Sequence, residues 1–123
     1  MTRASLAAAG GIALAVTSPA FAQASGTPKE NLDCAIWAAV ASDELAGDAE
    51  AQRGMLFLMN WFIGLYEGAT GALIDQPLAA RLPTITSEEL DALDATCGER
   101  AEAYGNRLNA LGDAVDATGS SAD

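Results

Sequence analysis

The residues most able to do chemistry in this chain are two cysteines and a large excess of carboxylates. The 123-residue sequence has 17 acidic and 6 basic residues and contains no histidine. It therefore lacks the usual general base and the commonest metal-binding side chain. Cys34 and Cys97 are 63 positions apart and form no C-x-x-C motif. Such an isolated pair is typical of one structural disulfide, and free or catalytic thiols are the less favoured alternative.

The carboxylates do not form a convincing catalytic or metal-binding set. Glu88, Asp91, Glu99 and Glu102 lie opposite most of the apolar stripe of their predicted helix, where water solvates them. A catalytic carboxylate pair needs one desolvated member with a shifted pKa. The chain also lacks the D-x-D-x-D-G pattern of a calcium loop and the G-x-S-x-G pattern of a serine hydrolase. We predict no catalytic residue, no metal site and no cofactor, so that the protein is not an enzyme.

The net charge of −11 restricts the partners of this chain. Nucleic-acid backbones and anionic lipids attract lysine and arginine, and both should be repelled by such an acidic protein. We therefore expect a protein partner or protein clients and no nucleic acid. The sequence leaves a homodimer open.

The first 22 residues have the pattern of a cleavable signal peptide. Arg3 precedes an apolar stretch at 6–16, and Ala20-Phe21-Ala22 forms an A-x-A cleavage site. The stretch is too short to span a bilayer, so we expect no membrane anchor after cleavage. The alternative is an ordinary alanine-rich first helix. Export predicts a periplasmic or secreted bacterial protein, and that oxidising location favours the disulfide.

The remaining chain is predicted to be all-α. Alanine and leucine dominate its apolar residues, and no sustained alternating pattern indicates a strand. We expect a flexible leader at 23–30, a helical domain at 31–118 and a disordered tail at 119–123. The domain should be a small bundle of three long helices and one short helix tied by one disulfide. The first helix should run from about residue 31 or 32 to residue 45, and Asp75 should cap the short helix at 77–82.

The second helix contains the most apolar segment, from Met55 to Tyr66, which only Asn60 and Gly64 interrupt. A helix that is apolar on all sides is typical of a buried central helix. We therefore predict that this helix is the hub of the bundle and that Gly64 and Gly68 allow close packing. The predicted core comprises Trp37, Phe57, Trp61, Phe62, Tyr66, Leu90 and Tyr104. Alternatively, three of these residues form an apolar binding surface: Trp61, Phe62 and Tyr66.

The last helix has the clearest start signal. Thr86 and Glu89 form a capping box, in which each side chain accepts a hydrogen bond from the backbone of the other. Glycines recur every seven residues beside the apolar stripe of this helix, at Gly98, Gly105 and Gly112. They indicate a packing seam, a break in the helix, or small residues accumulated without a structural role. The stripe itself consists of Leu90, Leu93, Cys97, Ala101, Tyr104, Leu108, Leu111 and Val115.

The layout resembles a family of small exported proteins. One cysteine lies in the first helix within Asp33-Cys34-Ala35, the other lies in the last helix after Ala95-Thr96, and Trp61-Phe62-Ile63-Gly64 lies between them. This arrangement resembles the HdeA family of periplasmic acid-stress chaperones. It is also similar to Tai-type periplasmic immunity proteins and to uncharacterised exported two-cysteine proteins of alphaproteobacteria. Only the two cysteines carry over as functional residues.

The resemblance implies two alternative functions. As an acid-stress chaperone, the protein would lose most of its negative charge below about pH 4 and expose apolar surface to unfolding clients. As an immunity or inhibitor protein, it would bind one specific partner through a rigid acidic surface.

Overall fold

The computed structural model describes residues 25–119, which form four α-helices. These are α1 (Pro28–Glu44), α2 (Ala49–Thr70), α3 (Asp75–Arg81) and α4 (Ser87–Gly119). A disulfide joins Cys34 of α1 to Cys97 of α4. The predicted bundle of three long helices and one short helix tied by one disulfide is therefore confirmed. The proposed signal peptide lies outside the described residues, as does the tail beyond Gly119.

Helix α1 begins earlier than the sequence analysis predicted. Thr27 is its N-cap and Pro28 its first residue. The backbone N–H of Glu30 donates to Thr27 Oγ1 at 3.2 Å, and the N–H of Thr27 donates to Glu30 Oε2 at 2.6 Å. Residues 28–30, assigned to the leader, thus form the first turn of α1. The Thr27-Pro28-Lys29-Glu30 segment is itself a capping-box pattern, and it could have marked this start.

Helix α1, and not α2, is the most buried helix. Its small residues, such as Ala35 and Ala38, are completely buried and let neighbouring helices approach closely. In α2 only Phe62 is buried, and Phe57 is 50% exposed. The prediction that α2 is the central hub is wrong, because the neighbouring helices cover only part of the surface of its large side chains. The other predicted core residues are only half-buried: Trp37, Trp61, Tyr66, Leu90 and Tyr104.

Of the predicted starts of the last two helices, that of α3 is wrong and that of α4 is confirmed. The N-cap of α3 is Ile74, which makes no side-chain capping bond, so the expected cap at Asp75 is wrong. For α4, the N–H of Glu89 donates to Thr86 Oγ1 at 3.1 Å, and the N–H of Thr86 donates to Glu89 Oε2 at 2.8 Å. The predicted capping box of α4 is confirmed.

The helical glycines do not mark close packing within the described residues. A Cβ added at Gly64 or Gly68 would meet no atom within 4 Å, so the expected close approach there is wrong. The same holds for Gly98, Gly105 and Gly112. These three glycines form neither a packing seam nor a break, since α4 is one continuous helix.

Candidate functional site

The disulfide fixes the antiparallel pairing of α1 and α4. The Cα atoms of Cys34 and Cys97 are 5.5 Å apart, and both residues are buried. One turn to one side, Trp37 Nε1 donates to Asp94 Oδ1 at 3.1 Å. One turn to the other side, Arg100 donates to Asn31. Residue numbers therefore rise along α1 in the direction in which they fall along α4, so the two helices are antiparallel. The predicted Cys34–Cys97 disulfide is confirmed.

Arg100 ties the segment before α1 to α4. Its Nη2 donates to Asn31 Oδ1 at 2.6 Å and to the Ser25 carbonyl at 3.2 Å, and Asn31 is completely buried. The guanidinium carbon lies 5.0 Å from the ring centroid of Phe62, within cation–π range. Burial lowers the pKa of Arg100, and the charge of Glu30 opposes this shift.

Gly26 lies against Arg100, and a larger residue does not fit at this position unless Arg100 moves. We call Arg100, Asn31, Ser25 and Gly26 the Arg100 cluster. Gly26 has a φ of +61°, in the left-handed region that favours glycine. A Cβ at this position would lie 2.8 Å from Arg100 Nη2. No local pattern in the sequence predicts this cluster, because the contacts of Arg100 join residues that are far apart along the chain.

A second, charged network links α1, α3 and the start of α4. Arg81 Nε donates to Asp33 Oδ1 at 2.9 Å, and its Nη2 donates to Glu89 Oε1 at 2.9 Å. Lys29 Nζ donates to the other carboxylate oxygen of Asp33 at 2.6 Å. The four side chains Arg81, Asp33, Glu89 and Lys29 form the Arg81 network.

The pKa values of the Arg81 network follow from these contacts. Burial would raise the pKa of Asp33, but hydrogen bonds from Arg81 and Lys29 outweigh it and hold the pKa below its usual value. The backbone N–H of Thr86, followed by Arg81, lowers the pKa of Glu89 to about 2. Glu89 therefore stays charged at pH values where most carboxylates are protonated, and the pKa of Asp33 is shifted in the same direction.

The predicted apolar surface at Trp61, Phe62 and Tyr66 is only partly accessible. Phe62 is completely buried and lines no surface in this structure, whereas Trp61 and Tyr66 are half-buried. Trp61 stacks on Tyr104 of α4, with 4.1 Å between ring centroids and 2° between ring planes. Phe57 also stacks on Tyr104, with 6.0 Å between centroids. Neither Phe57 nor Tyr104 is a buried core residue, contrary to the prediction.

An uncovered apolar region continues from this aromatic stack along α4. Every residue from 106 to 119 is exposed, and we call this segment the overhang. It is about 21 Å long at 1.5 Å per residue. Its apolar stripe is uncovered, with exposed fractions of 38% for Leu108, 52% for Leu111 and 69% for Val115. Together with Phe57 and Tyr104, these three residues form the apolar face.

Two grooves lie between α1 and α4. The cation-lined groove has a volume of about 690 Å³ and is bordered by the first part of α1. The acid-lined groove has a volume of about 500 Å³ and is bordered by the last part of α1 and the first part of α4. The first contains Lys29, Arg100 and Arg107, whereas Glu44 and Asp91 border the second.

Within residues 25–119, no group of three or more cysteine, aspartate or glutamate side chains is arranged to hold a metal ion. No helix in the same range is both long and apolar enough to cross a membrane.

Comparison with known proteins adds no relative, since no family model, curated protein or solved structure matches the chain. The candidate sites therefore depend on their geometry alone.

Proposed function

We propose that the chain is an exported, non-enzymatic protein-binding protein that protects unfolding clients in acid, in the manner of HdeA-type chaperones. The observation that carries this proposal is the uncovered apolar face on the overhang. Apolar patches rimmed by polar residues are typical of protein interaction sites. An unfolded client offers extended apolar segments, and covering Leu111 or Val115 would remove their side chains from water.

The charges beside the apolar face support action in acid. Asp113 and Asp116 lie on the overhang and are exposed. The chain has 17 acidic residues, and carboxylates in general are protonated below about pH 4, so the protein loses most of its negative charge there. At the same pH, the loss of negative charge across the protein removes its repulsion of other acidic proteins.

The two polar clusters respond differently to acid. In the Arg100 cluster, Asn31 and the Ser25 carbonyl accept hydrogen bonds from Arg100 and do not titrate. In the Arg81 network, Asp33 and Glu89 have lowered pKa values in the folded state. Their stabilisation is present above their unfolded pKa of about 4, and it is lost as the pH falls towards 2. Acid should thus loosen α3 while the disulfide holds α1 and α4 together.

The proposal is tested by light scattering of citrate synthase in the presence of the disulfide-intact protein without residues 1–22. We expect suppression of aggregation at pH 3 and little suppression at pH 7. Equal aggregation with and without the protein at pH 3 would reject the chaperone function. Export is tested separately by fractionating a bacterium that expresses the full chain and probing the periplasm for a product shortened by residues 1–22.

A second candidate function, binding of one partner as an immunity or inhibitor protein, is favoured by the acid-lined groove. Glu44, Asp91 and Asp94 border this groove and are exposed. Such a surface fits a basic partner, and it requires neither acid nor unfolding of the bundle. A pull-down at pH 7 that recovers one stoichiometric basic protein, released by high salt, would favour this function over the chaperone.

A further inference from the structure

The cation-lined groove has features of a small-molecule site, and Tyr104 is the residue that it shares with the apolar face. Its volume of about 690 Å³ falls within the range of ligand pockets, roughly 300–1,000 Å³. The aromatic pair Trp61 and Tyr104 lines it, and Leu93 adds an aliphatic surface. Two stacked rings next to an aliphatic side chain suit a flat, apolar ligand body.

Cations are concentrated in this groove although the protein is acidic. Residues 25–119 contain five lysine and arginine residues, and Lys29, Arg100 and Arg107 line the groove. The exposed Arg107 lies one helical turn beyond Tyr104 on α4. The Lys29 ammonium bonds Asp33, but its side chain is 76% exposed and it has further N–H donors for a ligand.

Three carboxylates also line the groove: Glu30, Asp33 and Glu99. Asp33 accepts hydrogen bonds from both Lys29 and Arg81. Glu30 accepts the backbone N–H of Thr27 in the capping box of α1. Asp33, whose charge Lys29 and Arg81 compensate, therefore adds little repulsion to a ligand anion at Arg107 and Lys29. The exposed Glu99 is the carboxylate that such an anion must avoid.

We propose that the cation-lined groove binds a small amphipathic organic anion. The flat apolar body of the ligand lies against Trp61, Tyr104 and Leu93, and its carboxylate is held by Arg107 and Lys29. This site is separate from the exposed end of the apolar face, since Leu111 and Val115 do not line the groove.

The test uses three probes with the same ring system: 2-naphthoate, 2-naphthamide and 2-naphthylmethylammonium. Binding to the disulfide-intact protein at pH 7 is followed by NMR shifts of the Trp61 indole N–H, with Trp37 in the acid-lined groove as internal reference. We expect naphthoate to bind with a dissociation constant of about 1 mM or below. The amide should bind three- to fivefold more weakly and the ammonium more weakly still.

Two matched pairs of variants localise the anion. Arg107→Gln should weaken naphthoate binding about three- to fivefold, whereas Arg53→Gln, which removes an exposed charge on α2, should not. Ala103→Glu places a carboxylate in the groove and should weaken naphthoate binding about tenfold. Ala110→Glu, two turns further along α4 and outside the groove, should leave it unchanged.

Three results would overturn the proposal. The first is the absence of saturable shifts at Trp61 up to about 10 mM naphthoate. The second is equal affinity for the acid and the amide, which would reduce the groove to an apolar surface without anion selectivity. The third is an equal effect of Arg107→Gln and Arg53→Gln, which would show that only the overall charge matters.

Discussion

The two halves of α4 carry the same apolar stripe but have different surroundings. In the first half, Cys97 is bonded to α1, Asp94 accepts the Trp37 indole N–H, and Arg100 holds Asn31. In the second half, the overhang at 106–119, every residue is exposed. The pairing of Asn31 with Arg100 shows why: α1 begins three residues before Asn31, so it has no residue left to cover the overhang.

This difference divides α4 into a half that contacts the other helices and a half that is left for the proposed binding of clients. The first half should determine how well the bundle resists unfolding, because its side chains make the contacts between helices. The overhang should contribute little to folding, since its leucines and valine remain in water. This apolar stripe adds nothing to the core of the monomer, and the proposed binding of clients would give it a role.

The largest expected effect is the loss of the disulfide in the covered half. The Cys34→Ser/Cys97→Ser variant opens a loop of 63 positions, and the chain-entropy model predicts a loss of about 4 kcal/mol. Urea denaturation at pH 7, followed by circular dichroism, should show a far lower midpoint or an unfolded protein. A change below about 1 kcal/mol would mean that contacts other than the disulfide hold α1 to α4.

The second-largest expected effect is the loss of stability on replacing the buried Asn31, with the exposed Asn109 as its control. Asn31→Ala removes the acceptor of Arg100 and the donor to the Ser25 carbonyl in a completely buried place. We expect a loss of about 2 kcal/mol in the free energy of unfolding. Asn109→Ala, the same substitution on the overhang, should change it by less than about 0.5 kcal/mol. Equal losses at both positions would contradict the division of α4 into a structural half and an exposed half.

A smaller, pH-dependent effect concerns Glu89 at the start of α4. Glu89→Gln removes the charge that accepts the Thr86 N–H and meets Arg81, so the variant should unfold at a lower temperature than the wild type at pH 6. The difference should shrink as the pH falls towards 2, where Glu89 of the wild type becomes protonated. Glu88→Gln, which changes a neighbouring carboxylate outside the Arg81 network, is the control. A Glu89 difference that stays constant from pH 6 to pH 2 would refute the stabilising role of this carboxylate charge.

The smallest expected effect on stability is that of polar substitutions on the overhang. Leu111→Gln/Val115→Gln should change the free energy of unfolding by less than about 0.5 kcal/mol, because both side chains are exposed in the folded chain. Urea denaturation of this variant and of Cys34→Ser/Cys97→Ser under the same conditions measures the difference in stability between the two halves of α4. A loss above about 2 kcal/mol would show that the overhang is buried in solution.

The sequence was sufficient for the local features of the fold. Alanine and leucine content predicted helices, the isolated cysteines predicted their disulfide, and the Thr86–Glu89 pattern predicted the start of α4. These predictions succeed because each depends on the chemistry of one or two residues. The Thr27–Glu30 capping box carried the same signal, but the segment had been assigned to the leader because it follows a signal-peptide pattern.

The sequence was not sufficient to show which apolar residues are covered. Periodicity identified the stripe of α4, but it cannot show that α1 begins too late to cover Leu111 and Val115. The apolar α2 was expected at the centre, whereas the small residues of α1 occupy it. The contacts of Arg100 depend on the pairing of α1 and α4, which no local pattern of residues contains.

The measurement that tests the central claim most directly compares two variants in the citrate synthase assay at pH 3. Leu111→Gln/Val115→Gln removes the exposed apolar side chains, and glutamine does not titrate. Ala110→Gln/Ala114→Gln places the same two side chains on the same exposed turns beside the apolar stripe. We predict that the first variant loses most of the suppression of aggregation while the second retains it. Equal suppression by both variants would contradict the assignment of the apolar face as the client-binding surface.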